Sequence, residues 1–275
     1  MQKMVTGLFA AALGVTGVQA DDPSSAAAIE QAMWGDHRSE ANMARNRYRH
    51  PVGTLTFFGL DAGQTVLEIW PGAGWYTEVL APVMQAPGKL VVATWDPAVE
   101  GQPAYRYELP KQMADKFAAR PDVYGGVETI HFSPPESASL GAAESVDMVL
   151  TFRNTHGWIN NGQAAMIFAE FARVLKPGGV LGVVQHRAAE GADASETARR
   201  GYVPEAAVIA LAEAAGLAFE ARSEVNANPK DGRDHPEGVW TLPPSLRLGE
   251  QDRDRYLAIG ESDRMTLRFR KPGGG

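Results

Sequence analysis

The chain has 275 residues, 44% hydrophobic and 21% charged, enough for one large domain with a sizeable core. A net charge of −7 with no basic stripe argues against non-specific nucleic-acid binding. Cysteine is absent, which excludes disulfides, thiolate metal sites and cysteine nucleophiles.

Residues 1–20, MQKMVTGLFAAALGVTGVQA, carry one lysine, no acid, and an apolar stretch from Met4 to Val18 that is short for a bilayer span. Val18-Gln19-Ala20 fits a small-x-small cleavage site. The segment reads as a secretory signal peptide cut after Ala20, which implies a periplasmic or secreted protein; the alternative is a buried first helix or an uncleaved anchor. No arginine pair precedes the stretch, so the twin-arginine route is not indicated. Cleavage leaves a net charge of −8 and no transmembrane segment.

Residues 24–50 are rich in Ala, Glu, Met and Arg and predict one or two helices. His50-Pro51 marks a boundary, and Pro51–Phe58 predicts a short helix ending at Gly59. Residues 21–59 thus form an N-terminal helical cap or lid on a domain spanning 60–275. Strands are expected at Thr65–Ile69, Leu90–Thr94, Val127–Phe132, Val146–Phe152 and Val180–Val184. Helices are expected at Tyr76–Met84, Lys111–Ala119, Gln163–Leu175 and Pro204–Ala215, with Pro177-Gly178-Gly179 stopping the third. Leu217–Val225 and Met265–Phe269 read as two closing strands. Continuous apolar runs alternating with helices predict an α/β three-layer sandwich around a mostly parallel seven-stranded sheet. The Pro-, Asp- and Arg-rich segment 226–262 reads as an ordered polar insert between the last two strands.

Residues 66–77, VLEIWPGAGWYT, leave the first strand through a Gly-x-Gly step. In an open parallel sheet, ligands sit beyond the carboxyl ends of the strands. Gly72 and Gly74 allow a tight turn and close backbone approach. Asp96 closes the second strand, where an acid can hydrogen-bond a ribose diol. A dinucleotide loop would need a third glycine where Thr77 stands, and no P-loop is present. Glu68 at the loop entrance would repel phosphate and suit a cationic amino-acid group. S-adenosylmethionine (SAM) has the ribose and the cations without the phosphate.

V-L-E-I-x-P-G-x-G, an acid closing the second strand, and Leu175-Lys176-Pro177-Gly178-Gly179 before an apolar strand resemble class I SAM-dependent methyltransferases over residues 50–225 and the final strand. More narrowly, WPGAGWYTEVLAP, TFRNTHGW, LGVVQHRA and NPKDGRDHPEGVW resemble a group of exported bacterial predicted methyltransferases. The resemblance implies a Rossmann-like fold with a reversed last strand and SAM as cofactor. It implies that Glu68 reaches the SAM amino group, that Gly72 and Gly74 line the methionine and adenosine path, and that Asp96 holds the ribose. The family's adenine-contacting acid is replaced by Phe132-Ser133-Pro134, leaving Ser133 as the nearest candidate. Trp70 replaces the first loop glycine; it and Trp75 would either wall the methionine pocket or fill it.

Methyl transfer requires alignment, exclusion of water and, for a weak nucleophile, removal of a proton. Arg153, Asn154 and His156 cluster after the fourth strand, with His156 the first choice of base because imidazole titrates near neutrality. Gln185, His186 and Arg187 close the fifth strand beside them. His37, Arg38, Arg45, Arg49 and His50 are candidate lid residues. Asn226, Asn228, Lys230, Asp231, His235 and Trp240 suggest a second closing segment; His235 with Asp231 is also a possible metal pair, though an ordered lid is favoured. The expected activity is methyl transfer to a small molecule. The alternatives are a methyltransferase-fold binding protein without transfer and, third, a nucleotide-dependent oxidoreductase.

Overall fold

The computed structural model describes residues 23–273; the expected signal segment lies outside them. Seven strands form the sheet: β1 (Thr65–Ile69), β2 (Lys89–Thr94), β3 (Glu128–His131), β4 (Val146–Phe152), β5 (Leu175–His186), β6 (Ala218–Ser223) and β7 (Arg264–Arg270). Their order is β3-β2-β1-β4-β5-β7-β6. The first five pair parallel, and β7 runs antiparallel between β5 and β6. The reversal falls in the last strand, as expected. The order turns back on itself at β1, which places a crevice over the carboxyl ends of β1 and β4.

Alternate residues of each central strand face opposite layers. Leu67, Ile69, Val91, Val149 and Leu181 face the helices Ala164–Val174 and Glu205–Ala214. Val66, Leu90, Met148, Leu150 and Val184 face Pro23–Met33, Pro51–Phe58 and Thr77–Val83. Both faces are therefore covered, which is why these strands read as unbroken apolar runs.

Residues 24–50 form three helices, Pro23–Met33, Glu40–Met43 and Asn46–Arg49, where one or two were expected. They are tied down through Glu78. Its carboxylate takes Arg38 at 3.2 Å, Asn42 at 2.9 Å and Lys116 at 2.5 Å. The insert 226–262 is ordered, with a short 3-10 turn at Gly238–Thr241 and a helix at Arg253–Ile259. No helix among the described residues is long and apolar enough to cross a membrane.

Candidate functional site

A cavity of about 300 Å³ opens over the carboxyl ends of β1, β4 and β5. Eight of the eleven predicted site residues line it: Glu68, Trp70, Gly72, Trp75, Arg153, Asn154, His156 and His186. Gly74, Asp96 and Ser133 do not. The lining also includes Arg45, Arg49, Tyr76, Trp95, Phe152, Trp240, Glu261 and Ser262.

The loop after β1 makes its tight turn despite the missing glycine. Trp70 itself adopts a left-handed φ of 44°, followed by Gly72 at 63° and Gly74 at 80°. Such a backbone is costly for a bulky side chain and persists only when the surroundings hold it. They do: the Trp70 indole N–H donates to the Phe132 carbonyl at 2.8 Å, and the ring packs on Trp95 and Trp158 with centroids 5.2 and 5.7 Å away. The ring is 6% exposed. Asn154 secures the same turn, donating to the Ile69 carbonyl at 2.9 Å.

Trp75 behaves differently. Its N–H donates to the Asn42 carbonyl at 3.0 Å, and the guanidiniums of Arg38 and Arg49 lie over its ring at 4.7 and 4.6 Å. It is a cavity wall pinned to the N-terminal helices. Beside it, Tyr76 stacks on Phe152 at 3.6 Å and donates its hydroxyl to the Arg49 carbonyl.

Glu68 lies at the cavity floor, 1% exposed, and accepts a hydrogen bond from the Thr77 hydroxyl at 2.6 Å. Burial raises its pKa to about 7, against the lowering effects of the Thr77 bond and Arg153. His156 is pulled down to about 4 and His186 well below its ordinary value, in each case chiefly by burial. Both imidazoles are therefore neutral at pH 7. His156 has Gln185 at 3.4 Å, and His186 has the Ser262 hydroxyl at 2.5 Å. A base with a pKa near 4 is a weak proton acceptor at neutral pH, so proximity rather than basicity recommends His156.

Asp96 and Ser133 are engaged with each other. The Asp96 backbone N–H donates to the Ser133 hydroxyl oxygen at 2.7 Å, and the Asp96 carboxylate accepts from the Ala98 N–H at 2.9 Å. The Trp70 indole is bonded to the residue before Ser133 and packed on the residue before Asp96. The donor set anticipated for SAM is thus divided: Glu68 and Gly72 line the cavity, and Asp96 and Ser133 do not. The cavity lining therefore lacks the ribose and adenine contacts expected for an adenosyl group.

His235 and Asp231 are buried 2.8 Å apart. Asp231 also accepts from the Tyr202 hydroxyl and from the N–H groups of Arg233 and Asp263, so it braces the insert. Of the candidate lid residues, Arg45 and Arg49 reach the cavity and Arg38 is spent on Glu78. Arg187, of the polar cluster closing the fifth strand, is spent on Asp263 and Glu224. Glu261 and Ser262 went unselected in sequence. The polar run Glu261-Ser262-Asp263-Arg264, set directly before an apolar strand, is the signal that marks them.

The sheet order, the reversed β7 and the cavity over β1 and β4 define a class I SAM-dependent methyltransferase fold. Among solved structures, a SAM-dependent methyltransferase from Aquifex aeolicus matches with a TM-score of 0.56 and 17% identity, over 91% of this chain and 98% of its own. The [4+2]-cyclase SpnF matches with a TM-score of 0.59 and 17% identity, over 88% and 86%. A SAM-dependent methyltransferase from Methanosarcina mazei matches with a TM-score of 0.50 and 14% identity, over 78% and 95%. At these identities the likeness is one of fold. No protein-family model and no curated protein matches the chain.

Proposed function

We propose that this chain is a methyltransferase-fold binding protein whose cavity takes a small molecule and which does not use SAM. The observation that supports the reading is the Trp70 indole, which stands where the loop glycine is expected and is held against Phe132 and Trp95, the residues before Ser133 and Asp96, by a hydrogen bond and two further indoles. A fold shared by proteins described as methyltransferases and as a cyclase does not itself dictate the chemistry. The proposed export signal at residues 1–20 is consistent with it, since SAM is made in the cytoplasm.

A second reading, SAM-dependent methyl transfer to a small-molecule acceptor, is favoured by Glu68 and Gly72 at the cavity and by the fold. On that reading Glu68 and the arginines would hold the methionine end of SAM, which supplies the methyl group. The Trp70 ring would have to leave its place for the nucleoside to enter.

Calorimetric titration with SAM and S-adenosylhomocysteine separates the two. The first reading expects no binding tighter than about 1 mM by the wild type. Micromolar binding by the wild-type chain would overturn it in favour of the second.

A further inference from the structure

The cavity holds more positive charge than its carboxylates balance. Arg45 and Arg49 arrive from the helical N-terminal segment and Arg153 from the end of β4, and Arg264, at the start of β7, stands behind the lining. Glu261 faces three of them, Arg45 at 2.6 Å, Arg49 at 3.3 Å and Arg264 at 3.1 Å. Arg153 has no carboxylate partner among the described residues. Glu68, the other carboxyl in the lining, is bonded to Thr77 and is half protonated near pH 7.

Three guanidinium nitrogens of lining residues, Arg45 Nη2, Arg49 Nη1 and Arg153 Nη1, are buried without a hydrogen-bond partner. Arg49 is 3% exposed. Buried donors are nearly always satisfied, and an unmet charged donor is more costly than a neutral one. Arg153 also carries a left-handed φ of 66° while its N–H stays bonded to the Val184 carbonyl, so the strand end is bent where this side chain departs. His156 and His186, both neutral, add hydrogen-bonding capacity without more positive charge. The apolar part of the lining is largely aromatic, including Trp70, Trp95, Phe152 and Trp240.

We infer that the cavity is a receptor for a small organic acid, its oxyanion head taken by Arg45, Arg49 and Arg153 and its flat apolar body lying on the aromatic lining. Arginine forks suit a planar carboxylate or a phosphate equally, so the shared chemistry is the oxyanion. The inference rests on the reading of this cavity as a ligand site, but not on the exclusion of SAM.

The test titrates the whole chain with benzoate, phenyl phosphate and neutral benzamide at constant ionic strength, followed by thermal unfolding and calorimetry. Benzoate or phenyl phosphate should raise the melting temperature progressively with the logarithm of its concentration above Kd, and benzamide should not. The response to each acid also tells a carboxylate receptor from a phosphate receptor. Arg153→Gln and Arg45→Gln, checked for folding by circular dichroism, should each weaken binding by about tenfold or more. Arg49 is too deeply buried to serve as the sole variant. The inference fails if benzamide binds as well as benzoate, if both folded variants keep wild-type affinity, or if neither acid acts at about 10 mM. SAM titrated beside them keeps the two proposals apart. Binding of SAM with an intact anion response overturns only the proposed exclusion of SAM, whereas silence toward both overturns only the organic-acid receptor.

Discussion

Glu68 shows how burial converts a sequence motif into a measurable charge state. Its folded pKa of about 7 lies above the ordinary 4.5 because desolvation outweighs the Thr77 bond and the attraction of Arg153. The native chain therefore holds a proton between those values that the unfolded chain releases. The associated stability is fully present below pH 4.5 and is lost as pH rises through 7. With about 1.4 kcal/mol per pKa unit, the loss is at most about 3 to 4 kcal/mol. Glu68→Gln keeps the shape and removes the ionisation. Urea unfolding should find it more stable than wild type at pH 8 by up to about 3 to 4 kcal/mol and indistinguishable at pH 4. An equal difference at both pH values would remove Glu68 as the source. Sequence reasoning placed this residue at the loop entrance, but the burial that sets its charge comes from layers distant in the chain.

At the scale of elements, unbroken apolar runs located β1, β2, β4 and β5, because these strands are covered on both faces, whereas β3 and β6 are exposed or half-buried. The ends were less legible where a local signal opposed tertiary pairing. Pro177-Gly178-Gly179 reads as a stop, yet β5 begins at Leu175 and runs through it. Leu175 pairs with Val146 and Val180 with Met148, so the Pro-Gly-Gly turn is absorbed as a bulge. The helix Tyr105–Ala119 likewise starts six residues before the expected Lys111 and contains Pro110. The helix Thr155–Asn160 is hidden in TFRNTHGW because it is short and carries no apolar stripe; His156 faces the cavity and Asn160 bonds the Ala198 carbonyl. One element contact is demanding enough to test. Gly182 of β5 lets the helix Pro51–Phe58 lie directly on the sheet, and a Cβ there would come within 2.8 Å of both Phe58 and Leu150. Gly182→Ala should cost about 1–3 kcal/mol through overpacking. Adding Phe58→Leu should recover part of the loss. Additive effects of the two substitutions in chemical denaturation would show that this contact is not the cause.

Across the whole molecule, the cavity's strand-end residues were legible because parallel topology brings carboxyl ends together. The arginine cluster was not, since Arg45 and Glu261 lie 216 positions apart and nothing local records their meeting. That meeting joins the N-terminal helices to the start of β7. Arg264 extends the join by donating to the Tyr48 carbonyl at 2.7 Å. Burial alone would raise the pKa of Glu261; the guanidiniums of Arg49, Arg264 and Arg45 outweigh it and hold it at about 2. Its stabilising contribution is therefore present above the ordinary 4.5 and is lost as pH falls through 2. Glu261→Gln would leave two buried guanidiniums, Arg49 and Arg264, and the half-buried Arg45 facing a neutral amide, and breaking such a cluster costs about 3–5 kcal/mol. At pH 7 the variant should be less stable by that amount, and its stability should fall less steeply than wild type below pH 4.5. Hydrogen exchange should locate the damage, with amides of Asn46–Arg49 and of β7 near Arg264 losing protection before the central strands. If the cavity is an anion receptor, a bound organic acid should restore part of this loss by supplying the missing negative charge. A variant within about 1 kcal/mol of wild type at pH 7 would mean that Glu261 does not hold the cluster together.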